Sequence, residues 1–95
     1  MITSKQRAYL RSMAHGIQPI FQIGKGGVND NLIRQLDDAL EARELIKIHV
    51  LETAFVSPRA LLTELAEALG AEPVQAIGSR IVLYRESKEN KTIEI

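Results

Sequence analysis

The 95-residue sequence predicts an α/β domain of order α-β-α-β-α-β-β, a mixed four-stranded sheet packed with helices. Three observations carry this. Apolar stripes with helical spacing alternate with short runs rich in β-branched residues. Each helical stretch opens on a capping residue. Two of the apolar runs are separated only by Gly78-Ser79, the spacing of a tight hairpin. Alternation of this kind predicts parallel strand pairs with right-handed crossovers, plus one antiparallel hairpin.

The first helix starts at Thr3, which stands in capping-box spacing with Gln6. Leu10, Met13, Ala14 and Ile17 mark its buried face, Arg7, Arg11 and His15 lie four apart beside it, and Gly16 and Pro19 end it. Ile20 to Ile23 is a short strand, followed by the turn Gly24-Lys25-Gly26-Gly27. Asn29 caps the second helix, with Val28 and Ile33 in staple positions. Leu32, Ile33, Leu36, Ala39 and Leu40 form its apolar face, which leaves Asp37, Asp38, Glu41 and Glu44 to water. Leu45 to Val50 alternates in its second half and is rich in β-branched residues, so it is the second strand. The third helix has the sharpest limits: Ser57 caps it, Pro58 takes its first position and Gly70 stops it. Pro73–Ile77 and Arg80–Tyr84 flank the hairpin turn, and the segment from Glu86 is a charged tail expected to be loose, with Ile93 and Ile95 free to pair.

Composition narrows the function. One domain over residues 1–86 with a charged tail at 87–95 accounts for the whole sequence. Cysteine is absent, which removes disulfides and thiolate metal sites. The amino end has neither a signal-peptide pattern nor a run long enough to span a membrane, so a soluble, cytoplasmic protein is expected. Net charge is zero, but residues 1–34 hold five basic side chains against Asp30 alone (+4), and residues 35–95 hold seven against eleven (−4). A polyanion responds to local potential, so the basic part remains a candidate face.

The glycine turn is the one motif with ligand chemistry. Glycines allow close backbone approach, and the helix beyond supplies N–H groups and a positive dipole end, which together suit phosphate. The spacing fits neither a P-loop nor a dinucleotide fingerprint. It does fit G-x-x-G, the loop with which KH modules clamp nucleic-acid backbone. A tight turn with no ligand is the plain alternative. No catalytic residue, metal site or cofactor is expected: two histidines lack partners at ligand spacing, and the adjacent Asp37 and Asp38 diverge on their helix. His15 suits either helix capping or phosphate contact, and His49 either the sheet surface or the core. Four aromatic residues are too few for a stacking platform, so any RNA contact rests on backbone and shape.

Lys5-Gln6, Leu10-Arg11, Ala14-His15, Pro19 and Gln22-Ile23-Gly24-Lys25-Gly26-Gly27 together resemble the opening of a CRM domain. Leu45-Ile46-Lys47-Ile48, Val74-Gln75, Ile77-Gly78 and Val82-Leu83-Tyr84-Arg85 continue the resemblance in order, over about residues 3–86. The length is similar to the stand-alone bacterial YhbY-like branch of that family. The resemblance implies a compact, non-enzymatic RNA-binding domain that assists assembly of the large ribosomal subunit by contacting its ribosomal RNA. It implies RNA contacts at Gly24, Lys25, Gly26 and Gly27, at Lys5, Arg7 and Arg11 of the first helix, and at Lys47 of the second strand. Relatives often carry a base where this chain has His49, and some have a more basic tail. A monomer without membrane or small-molecule partners is expected, the rival reading being a protein–protein adaptor.

Overall fold

The structure, a computed structural model, describes residues 2–95; Met1, the first residue of the expected domain, lies outside them. Three helices, α1 (Ser4–Ala14), α2 (Asp30–Arg43) and α3 (Pro58–Leu69), alternate with strands β1 (Phe21–Ile23), β2 (Leu45–Val50), β3 (Glu72–Ile77) and β4 (Arg80–Tyr84). A single 3-10 turn, Glu52–Ala54, follows β2. The expected order and the mixed sheet are both present.

The caps work as their chemistry requires. Thr3 and Gln6 form the reciprocal capping box, Asn29 Oδ1 accepts from the Leu32 N–H at 2.8 Å, and Ser57 Oγ accepts from the Ala60 N–H at 3.0 Å. Gly70 closes α3 in the left-handed region, at φ 62°.

The sheet order is β1-β2-β4-β3, with β1 and β2 parallel and both β2–β4 and β4–β3 antiparallel. The alternation of helices and strands does make β1, β2 and β3 run in one direction. The two-residue hairpin, however, folds β4 back between β2 and β3, so only one parallel pair is hydrogen-bonded. That placement puts the most apolar strands in the centre, where Ile81, Val82 and Leu83 are sealed on both faces.

Two cores result. On one face Leu36, Leu40, Leu61, Leu65 and Leu69 of α2 and α3 cover Ile46, Ile48, Ile81 and Leu83. On the other, Leu10 and Ala14 of α1 cover Leu45, Val74, Val82 and Tyr84. Burial of one such leucine or isoleucine stabilises by about 1.5–3 kcal/mol, so both layers are needed.

Two expectations fail at the carboxyl end of α2. Glu44 is wholly buried rather than solvated, and the segment after Glu86 is docked rather than loose, with Ser87 and Ile93 buried. The two facts have one cause. The Glu44 carboxylate accepts the N–H groups of Thr92 (2.7 Å), Ser87 (2.8 Å) and Ile93 (2.9 Å), and its carbonyl accepts from the Arg85 N–H at 2.9 Å. Glu41 accepts the Ser87 hydroxyl at 2.7 Å and the N–H groups of Lys88 and Glu89, both at 3.1 Å. Ile93 then completes the apolar cluster beneath α1.

Burial alone would raise the Glu44 carboxyl, but the N–H donors from Thr92, Ser87 and Ile93 outweigh it and hold the group below its ordinary value. Glu41 is lowered from 4.5 to about 2, first by the Ser87 hydroxyl and then by the Lys88 and Glu89 N–H groups. Both carboxylates therefore bind protons less readily with the tail docked. Their stabilising effect is complete above the ordinary glutamate range and is lost as pH falls from 4.5 towards about 2.

Amide exchange should accordingly show Ser87, Thr92 and Ile93 losing protection in that acid window while β2 and β4 stay protected. Loss of all regions in one step would mean that the tail is not a separate unit. Glu44→Gln, which keeps the shape and removes the charge, should lower stability by about 2 kcal/mol, measured by denaturant melting at pH 7.

Candidate nucleic-acid interface

Gly24-Lys25-Gly26-Gly27 forms one tight turn, closed by the Gly27 N–H donating to the Gly24 carbonyl at 2.9 Å. Its three glycines are there for different reasons. A Cβ on Gly24 would lie 3.1 Å from Thr53 Oγ1 and 3.2 Å from Leu51 Cδ1, so a side chain there fits only if the turn after β2 gives by a few tenths of an ångström. Gly27 sits at φ 63°, where side chains are strained. Gly26 has neither constraint: a Cβ there meets nothing within 4 Å, and its φ is ordinary.

Among the described residues the N–H groups of Lys25 and Gly26 donate to no protein acceptor, and both residues are exposed. The turn thus presents two free donors next to a shallow hollow of about 310 Å³ lined by Gln22, Gly24, Gly26, Gly27, Asn29 and Asn31, while the exposed Lys25 side chain does not line it. The start of α2 is less open to an anion than the sequence suggests. Asn29 occupies one first-turn donor, and Asp30 puts a carboxylate in that same turn.

The remaining candidates lie elsewhere. Arg7 Nε donates to the Pro73 carbonyl and Arg11 Nε to the Val74 carbonyl, each at 3.1 Å. These two side chains lie along the outer edge of β3 with Arg59 close by, around a second hollow of about 480 Å³. Both arginines thus seal an open sheet edge and still present the rest of the guanidinium. Lys5 is exposed on the first turn of α1, near the start of β3, where the Ile2 N–H donates to Glu72 Oε1 at 3.2 Å. Lys47 is half-buried and lines, with the exposed Arg43, a hollow beside Met13 and Ile17 at the end of α1. The glycine residues form one site, whereas the four bases are spread over α1 and the sheet.

One grouping of residues beside the loop escapes a reading of motifs alone. Strand register places Gln22, His49 and Arg80 side by side on the α1 face of the sheet. The signal was present as period-2 alternation, but only the strand order makes these three neighbours. Phe55, in the turn that packs against Gly24, is 91% exposed at φ 52°.

Among the described residues no cluster of His, Asp or Glu is close enough to hold a metal ion, and no helix is long and apolar enough to cross a membrane. Three helices on a mixed four-stranded sheet, with a glycine turn leading into α2, define a small α/β module. Residues 2–85 match the CRS1/YhbY (CRM) domain, and the chain belongs to that family. It is 54% identical over its full length to a Bacillus subtilis (strain 168) protein named "Probable RNA-binding protein YqeI", 99% of which is covered. A Haemophilus influenzae relative named "RNA-binding protein" is 30% identical, with 95% of this chain and 91% of the relative aligned. The solution structure of a Staphylococcus aureus protein, described as a candidate RNA-binding protein, superposes with a TM-score of 0.80 at 57% identity, covering 100% of this chain and 99% of that one.

The edge contacts make a stability prediction. Replacing Arg7 and Arg11 together by Gln should lower stability by about 1–2 kcal/mol, because charge-assisted bonds to two edge carbonyls are lost from a partly exposed site. Thermal melting reads this directly. An unchanged midpoint would show that the two arginines only rest on the edge.

Proposed function

We propose that the chain is an RNA-binding module that holds a backbone phosphate on the Lys25 and Gly26 N–H groups, with the Lys25 ammonium adding charge. Gly26 carries this reading, because the fold gives no reason for a glycine there and a ligand approaching the backbone does. The family and the names of the relatives support RNA as the partner. The target we propose is structured ribosomal RNA in precursors of the large subunit, bound in the cytoplasm by a monomer acting in assembly rather than catalysis. Residues 1–86 form the binding unit, and the cations of Lys5, Arg7, Arg11 and Lys47 extend the contact beyond the glycine turn. Backbone donors and cations recognise phosphates irrespective of sequence, so selectivity comes from the shape of the RNA.

The test is binding to a structured fragment of large-subunit ribosomal RNA, followed across a salt series with Gly26→Asp in parallel. The variant places a carboxylate where the phosphate lies, without touching the core. Affinity should fall at least tenfold, about 1.4 kcal/mol, with an unchanged melting curve. Equal affinity in a folded variant would remove the loop from the interface.

A further inference from the structure

The α1 face of the sheet is only half covered. Helix α1 and Ile93 close over Leu45, Val74, Val82 and Tyr84, at the end where β2 begins. At the other end lies a row running across all four strands, Gln22, His49, Arg80 and Ile77, set by the pairings Gln22↔His49, His49↔Arg80 and Ile77↔Arg80. Gln22 and Arg80 are exposed, His49 is half-buried, and Ile77 is 60% exposed.

This row adjoins the glycine turn. Gln22 lines the hollow of that turn and also a second hollow of about 410 Å³, whose other walls include Pro19, Phe21, His49 and Arg80. The far end of the row is fixed, since the Val50 N–H donates to the Ser79 carbonyl at 2.7 Å and holds the hairpin against the end of β2. Gln22 and Arg80 are two strand spacings apart, about 10 Å. Gln22, His49 and Arg80 make up the row as far as the apolar Ile77, and no carboxylate stands in it. Among the described residues the ion pairs are Arg85–Asp37 and Lys91–Glu86, so Arg80 is not neutralised by a partner.

We infer that the RNA backbone continues from the glycine turn across this open half of the sheet, with Arg80 contacting the next phosphate, Gln22 and His49 lining the path, and Ile77 as its apolar rim. The inference rests on the RNA-binding reading above and adds a direction to it: the strand crosses the sheet rather than following α2. Charge complementarity selects a polyanion over a protein partner.

The experiment compares wild type, Arg80→Gln, Arg80→Lys, Gly26→Asp and, as a charge-matched control, Lys88→Gln on the exposed tail, all on the same ribosomal RNA fragment across a salt series. Arg80→Gln should make the log–log salt slope shallower by about 0.7–0.9, the loss of one phosphate contact, while Arg80→Lys restores it and Lys88→Gln leaves it unchanged. If Gly26→Asp weakens binding and Arg80→Gln matches wild type, the sheet path is wrong and the loop reading stands. If Arg80→Gln alters the slope and Gly26→Asp does not weaken binding, the sheet path holds and the loop reading falls. An equal shift in Lys88→Gln would overturn the path, since net charge rather than position would then set the slope.

Discussion

The rest of the molecule depends on the carboxylate of Glu44. It ends α2 at φ 67°, with its N–H still donating to the Leu40 carbonyl at 2.8 Å, so the chain can turn directly into β2. Its buried side chain gathers three N–H groups from residues 43 to 49 positions later. A buried carboxylate without donors would cost several kcal/mol, and three amides without an acceptor would cost a comparable amount. Each side is tolerable only because the other is present. Arg85 secures the same corner, bonding Asp37 at 2.6 Å and the carbonyls of Leu69 and Asp37 at 3.0 and 2.9 Å. Helices α2 and α3, strands β2 and β4 and the tail all meet there.

This corner also sorts the charge. Strand β2 starts at the Glu44 corner and ends beside the glycine turn, since Ile23 pairs with Val50. Five rises of about 3.3 Å from Leu45 to Val50 separate the two ends by roughly 17 Å, about twice a Debye length at physiological salt. The acidic groups Asp37, Glu41 and Glu44 are engaged at the first end, while Lys25 and Arg80 stand unpaired at the second. A chain of zero net charge can thus leave cations unpaired at one end, because Asp37, Glu41 and Glu44 bind Arg85 and structural N–H groups at the opposite end. The division is spatial rather than by halves of the sequence, since Arg80 lies well inside the acidic half.

Local rules made most of the fold legible. Thr3, Asn29, Ser57, Pro58 and Gly70 act within a few residues of themselves, so their spacing revealed each helix end. What escaped depends on contacts far along the chain. Glu44 reads as one more surface acid until the tail returns to it. Arg7 and Arg11 read as a free basic stripe, yet each donates to a β3 carbonyl 63 or 66 positions away. The glycine run was recognisable as a motif, but only the surroundings of each residue separate Gly24 and Gly27, where the fold favours glycine, from Gly26, where it does not. Arg80 drew no notice because its neighbours are set by β4 entering the sheet between β2 and β3.

The edges of the sheet bear on which kind of partner this surface suits. Recruitment by strand addition needs a row of free backbone groups along an outer strand. Strand β1 offers only three residues before the chain turns at Gly24. Strand β3 is longer, but a register shift at Pro73–Gln75 breaks its regularity, and Arg7 and Arg11 occupy the Pro73 and Val74 carbonyls. Neither edge presents an uninterrupted ladder, so a protein partner would have to use side chains alone. The free backbone donors stand instead at Lys25 and Gly26, next to an unpaired cation and on a turn too tight to template a strand. Donors so arranged match a compact anion such as a phosphate far better than an extended peptide.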